Sequence, residues 1–454
     1  MNLALLLVGA RVWASGPSEA FARATAAIAV LSLEMQVVTL TGAGSLSALV
    51  LLNAAAAFVG LMAARRSTDS APRAAAPSGR ARSTALPWMA IVSMAALALV
   101  LATRPLAGAD PYHLDRVAQI LRLGTLEYDR VADIKVNVLA SSYELVLADL
   151  RQVPVVGGLL LRLHALVSLA YFTLGVAAIR QWLPGGRPWC WTAVFVLPVV
   201  FHQLAFVKND LYSATPAFVA LVWLAVRIET APLREVAAVS ALAGFAVAMK
   251  WVAFPLGLLM AAGIGWYRWR EGGAWLALVL GGAVGVVAGG LPFTLAQTAR
   301  WYGHPFEPLA ALGNRTTGAA DALTSVTRFA ISLFDFGWLT RRWWPGRGGW
   351  GATFGAPLVW AMAVAAVHWQ TAMVRRTVAM AALYGVVFAA IYPDADVAHR
   401  LVLAPGLLLI AVAAQHTDGE NPTATWLRRA LAAALTISAV QIARSLWLYV
   451  AAGL

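Results

Sequence analysis

The chain has 454 residues, of which 61% are hydrophobic and only 12% charged. A soluble domain carries about 25% charged residues, so this balance excludes an ordinary soluble globular protein and points to an all-α membrane protein. The net charge of +13 comes from bases scattered over short loops between apolar runs, which suits loops facing lipid headgroups and argues against a nucleic-acid partner.

Cys190 is the only cysteine, so no intrachain disulfide can form, and no CxxC or Cys/His cluster suggests a structural metal. Residues 3–14 are apolar, but Arg11 interrupts them and no basic region precedes them, so they do not read as a cleavable signal. A membrane-crossing helix needs about 20 predominantly apolar residues. On that rule the expected spans are 24–40, 45–64, 86–104, 155–179, 189–206, 211–227, 235–249, 251–267, 273–294, 356–373, 377–392, 400–415 and 429–450. Together they make a polytopic helical bundle of about 13 transmembrane helices, with residues 3–14 as a further short candidate.

Lys and Arg in the short loops set the expected orientation. Arg65, Arg66, Arg73, Arg80 and Arg82 place 65–85 in the cytoplasm, and alternation then puts 180–188, 228–234, 268–272, 375–376 and 428–429 on the same side. The opposite side receives 105–154, 207–210, Lys250, 295–355 and 393–399. The long loop 295–355 carries Arg300, Arg315, Arg328, Arg341, Arg342 and Arg347 against the charge rule, which long loops obey poorly; such a cluster asks for an anion. These features predict a multi-pass membrane protein with its chemistry outside the cytoplasm.

The first large outer loop begins GADPYHLDRVAQILRLGTLEYDR at Gly108. Leu114, Val117, Ile120 and Leu121 recur at helical spacing, with Asp115, Arg116, Gln119 and Arg122 on other faces, so an amphipathic surface helix is expected, then a second around Tyr143 to Leu150. Asp110 before Pro111 has the form of a helix cap; at the membrane surface, partial desolvation would also suit it to act as a base. Asp115 is its rival, and Tyr112 and His113 share the loop. Lys208-Asn209-Asp210 forms a second constellation at a tight outer turn, where Asp210 could equally be an N-cap, and Lys250 lies on the same side. A third runs Trp301-Tyr302-Gly303-His304-Pro305-Phe306-Glu307-Pro308 and on to Arg315; its aromatics suit an interfacial belt and its arginines a phosphate. The fourth is Tyr392-Pro393-Asp394-Ala395-Asp396 with His399-Arg400.

In order along this topology, DPYHLDRV (110–117), KND (208–210), GHPFEP (303–308) and HRLVLAP (399–405) resemble the motifs of bacterial GT-C glycosyltransferases, relatives of protein O-mannosyltransferases and aminoarabinose transferases. The resemblance covers roughly residues 86 to 415 through short motifs. It implies a sugar donor linked to a polyprenyl phosphate, transfer to a hydroxyl of a glycan, lipid or protein acceptor, and a first-loop Asp as general base. Carried over, the base falls on Asp110, a supporting acid on Asp210 and a donor-phosphate contact on Arg400. Asp115 stays open as the base, because many relatives separate the acid from Tyr-His by more than Pro111. The expected organisation is 1–85 as extra N-terminal spans and linker, 86–415 as a GT-C-like core and 416–454 as a last span. No motif requires a cofactor or metal, although a divalent cation is compatible. Substrate-binding candidates are Tyr112, His113, Lys208, Asn209, Lys250, His304, Glu307, Arg315, His399 and Arg400. An O-antigen ligase or polymerase, or a transporter of lipid-linked sugars, is the competing expectation.

Overall fold

A computed structural model describes residues 1–12, 16–68, 91–92, 95, 111–127, 142–153, 164–183, 185–205, 209–305, 319–333, 354–391 and 399–451. Among the described residues every regular element is helical. In chain order they are α1 (Asn2–Gly9), α2 (Pro17–Thr41), α3 (Leu49–Thr68), α4 (Pro111–Leu123), α5 (Ser142–Arg151), α6 (His164–Trp182), α7 (Pro198–Ala205), α8 (Asp210–Arg227) and α9 (Leu233–Met249). There follow α10 (Phe254–Tyr267), α11 (Gly272–Ala288), α12 (Leu291–Tyr302), α13 (Ala319–Ser332), α14 (Ala356–Val367), α15 (Ala372–Ile391), α16 (Leu403–Gln415) and α17 (Pro422–Ala451). Short 3-10 turns lie at Pro188–Val194, Trp251–Ala253 and His399–Val402.

α8 is the axis of the bundle. It is buried along nearly its whole length, from Asp210 to Ala225, because α6, α9, α15 and α16 all pack on it. A helix apolar on every side has no face to give to water, and this one gives none. α11 is built the other way. Its small residues Ala274, Ala277, Gly281, Gly285 and Ala288 face inward, while Leu276, Val279, Leu280, Val284 and Val287 are exposed. Small residues inside and large apolar residues outside is the polarity of a helix with lipid at its back.

α2, α6 and α15 are long and apolar enough to cross a membrane, and α11 with α12 makes a fourth if that bent pair is one span. Several other expected spans emerge as shorter pieces. Residues 189–206 divide into a 3-10 turn and α7, because Pro198 begins a new helix rather than continuing the old one. Residues 273–294 break between α11 and α12 with a bend of 60°. The left-handed Gly290 (φ 86°) and Pro292 in the first turn of α12 impose the break, and Gln36 of α2 caps it by donating from Nε2 to the Val287 carbonyl at 3.0 Å.

Among the described residues, several of the loops sorted by charge meet one another. At one end of the bundle Arg376 donates to Ala225 O at 2.9 Å, Arg268 to Ala231 O at 2.6 Å, Gly186 N to Asp418 Oδ2 at 2.7 Å and Arg428 to Thr417 O at 2.9 Å. Here three arginines, from α15, α17 and the turn after α10, donate to main-chain carbonyls at or near helix ends. At the other end lie the starts of α4 and α8, Lys250, and the Leu126 carbonyl approached by Gln297 at 3.5 Å. The eighteen residues of α8 separate the two ends by about 27 Å at 1.5 Å per residue.

The extra N-terminal helices acquire a place. Asp149 of α5 accepts from Asn2 N at 2.8 Å and Asn2 Nδ2 at 3.0 Å, and Asn53 Nδ2 donates to both Asn2 Oδ1 and Glu34 Oε2 at 3.0 Å. α1, α2 and α3 are thereby bonded into one buried network that anchors α5.

Candidate functional site

The end of the bundle where α4 and α8 begin carries a buried group of ionisable side chains. Its first part is an ion pair. α9 ends at Lys250, whose backbone turns extended (φ −154°, ψ 110°), and its ammonium meets the Asp210 carboxylate. Lys250 Nζ also donates to Asn209 Oδ1 at 3.0 Å. Asn209 is the N-cap residue of α8 yet makes no side-chain capping bond. The alternative role of Asp210 as an N-cap is therefore set aside: α8 starts at Asp210 itself, and the oxygens of both residues are directed to the lysine. The pair is deeply placed, with side-chain exposures of 11% for Lys250 and 2% for Asp210. It forms the polar wall of a small cleft otherwise lined by Ser213, Val252, Tyr384 and Leu401.

The second part joins α4 to α5. His113 Nδ1 lies 2.6 Å from Glu144 Oε1, and Arg116 Nη1 lies 3.9 Å from the same oxygen. All three residues are buried. The expected apolar stripe of α4, Leu114/Val117/Ile120/Leu121, is rotated by one position: His113, Arg116, Val117 and Ile120 are the buried set, at i, i+3, i+4 and i+7. Arg116, expected on an outer face, is 2% exposed because Glu144 draws it inward. Asp115 is exposed. Burial alone would raise the Glu144 carboxyl, but His113 and Arg116 beside it reverse the effect and hold it below its ordinary value.

A carboxyl depressed in the folded state stabilises that state at pH above its ordinary value of 4.5, and the contribution disappears as pH falls through the lowered value. Melting temperature in detergent, followed from neutral pH downward, should therefore drop below that point in the wild type. Glu144→Gln should flatten the drop.

Aromatic rings connect the two parts. Tyr143 stands edge-on to His113 at 5.6 Å, its hydroxyl is 3.4 Å from His164 Nδ1, and its ring lies 5.3 Å from that of Tyr212. Tyr212 follows Asp210 by two residues and also touches Tyr171 at 5.3 Å. Burial pushes the Tyr143 hydroxyl up, with Glu144 and Asp210 adding to the effect, so it stays a neutral donor.

Asn209, Asp210, Lys250 and His113 thus come together at one end of the bundle, while Asp115 and His304 are exposed. Asp110, Lys208, Glu307 and Arg315 lie outside the described residues, as do the side chains of Tyr112, His399 and Arg400. Glu144, Tyr143, His164 and Tyr212 belong to the cluster without having been singled out in the sequence. The available signal was an acid set among apolar residues in SYELVLADL. Among the described residues no group of three or more His, Cys, Asp or Glu comes together that could hold a metal ion. No family model, curated protein or solved structure matches the chain.

Proposed function

We propose that the protein is a polytopic membrane glycosyltransferase, with about 13 spans, that moves a sugar from a polyprenyl-phosphate donor to a hydroxyl acceptor outside the cytoplasm. The observation that carries this reading is the buried Asp210–Lys250 pair in the wall of a small cleft. Glycosyl transfer from a phospholipid needs a cation for the leaving phosphate and a carboxylate beside the incoming hydroxyl. Lys250, together with Arg400, serves as the cation, and Asp210 is the supporting acid. The base is Asp110, one residue before α4. Asp115 is exposed on that helix, away from the buried face that points to the cluster.

Purified wild type, Asp110→Asn and Asp115→Asn, given polyprenyl-phosphate sugars and cell-envelope acceptors, are compared by release of polyprenyl phosphate. Removing a general base costs about 10²–10⁴-fold, so Asp110→Asn is expected to lose that much and Asp115→Asn to stay near wild type. Full activity in Asp110→Asn would remove the base assignment.

One observation favours a transporter of lipid-linked sugars instead. The α11–α12 break is of the kind that builds transporter sites. Movement of an intact lipid-linked sugar across proteoliposomes, with no release of polyprenyl phosphate, would decide for that alternative.

A further inference from the structure

In the glycosyl-transfer reading the base is Asp110, the residue before α4 in the sequence, so the placement of α4 bears on that reading. α4 has thirteen residues, and an isolated helix of that length is marginal, so its place comes from tertiary contacts. Val117 and Ile120 supply apolar contact, which tolerates sliding and rotation. A bond of 2.6 Å to one carboxylate oxygen tolerates neither.

That oxygen belongs to a helix which is itself held. Asp149, five residues on from Glu144 in α5, is bonded to Asn2, and through Asn2 to Asn53 and Glu34. Glu144 Oε2 is buried and makes no hydrogen bond among the described residues. A half-satisfied buried carboxylate is a costly way to gain stability, since an apolar residue of similar size would usually serve as well.

We propose that Glu144 is a positioning residue, acting through His113 and Arg116 to fix the first turn of α4 against the bundle. Glu144 touches neither sugar nor phosphate in this scheme. Its consequence for turnover rests on the glycosyl-transfer reading above, but the placement of α4 can be measured without it.

The first measurement uses the full chain with Cys190→Ser and Val117→Cys. Val117 is buried where α4 lies on the bundle, and a released helix exposes the new thiol to maleimide. Glu144→Gln should raise the labelling rate about tenfold, as expected for local opening of one element, and Glu144→Asp should bring it part of the way back. Ala246→Cys, in the core of α9, serves as the control and should remain unlabelled in both. The second measurement is release of polyprenyl phosphate. Misplacing a catalytic group by about 1 Å costs about 100-fold, so Glu144→Gln should lose that much in kcat while KM for the donor stays unchanged and Glu144→Asp recovers part of the rate.

Unchanged labelling at residue 117 in Glu144→Gln would overturn the proposal. So would labelling of Ala246→Cys together with it, because that reports general loosening. If Glu144→Gln does not accumulate as folded protein, His113→Gln reads the same contact from the other side and must raise labelling at residue 117. Absence of transfer by the wild type would sink the glycosyl-transfer reading, while the labelling still decides whether Glu144 holds α4.

Discussion

Replacing Asp210 by Asn is expected to lower the stability of the folded protein by about 3–5 kcal/mol, because it leaves Lys250 as a buried cation without its counter-charge. Lys250→Met leaves the reverse charge and should cost a similar amount. The double variant Asp210→Asn/Lys250→Met removes both charges, so most of the stability should return; desolvating an ion pair offsets much of its attraction, and an uncharged pair of similar volume is often neutral. A strongly non-additive cycle by thermal unfolding in detergent is the signature of direct contact, whereas additive losses would mean that the two charges do not meet. Activity should not return with stability. Removing a preorganised charge from the path of a developing anion costs about 10²–10³-fold, so the double variant should be folded and inactive in polyprenyl phosphate release. A folded double variant with wild-type turnover would reduce the pair to a structural role and take the main support from the proposed function.

Gly285→Leu is expected to abolish the folded state. α9 and α11 approach backbone to backbone: a Cβ at residue 285 would lie 1.9 Å from Ala241 O and 2.7 Å from Phe245 N. Residue 281 repeats the contact one turn earlier, with a Cβ 2.2 Å from Ala237 O. The obstructing atoms are main chain, so a rotamer change cannot relieve the clash and the helices must separate. Even Gly285→Ala should cost at least the 1–3 kcal/mol, roughly, of overpacking in a tight core. Gly282 is the internal control, because a Cβ there meets nothing within 4 Å. Gly282→Ala should be neutral, or more stable by up to about 1 kcal/mol from helix propensity. Melting temperature and monodispersity in detergent compare the three. The effect reaches the site, since Lys250 ends α9 and any displacement of that helix carries the lysine away from Asp210.

Composition and apolar run length were enough to read an all-helical chain, and loop charge was enough to sort the loops into two groups, because burial in an apolar medium and cation placement act locally on each segment. That Gly281 and Gly285 mark the face of α11 that meets α9 was not read in the sequence. Segment length was less well determined: Pro198 and Gly290 divide apolar runs that hydropathy alone joins.

The site divides similarly. The Lys-Asn-Asp turn and Lys250 stood out as charges in an apolar chain, which is a property of each residue's own neighbourhood. That Asp210 takes Lys250, forty residues away, rather than capping its own helix depends on how α9 ends against α8. Arg116 looked solvated until α5 supplied a buried acid opposite it, and Glu144 looked like any acid of a surface helix until α4 covered it. A single sequence registers where charge is costly; only the packed helices decide which opposite charge makes up that cost, because the partner is chosen by distance in space and not along the chain.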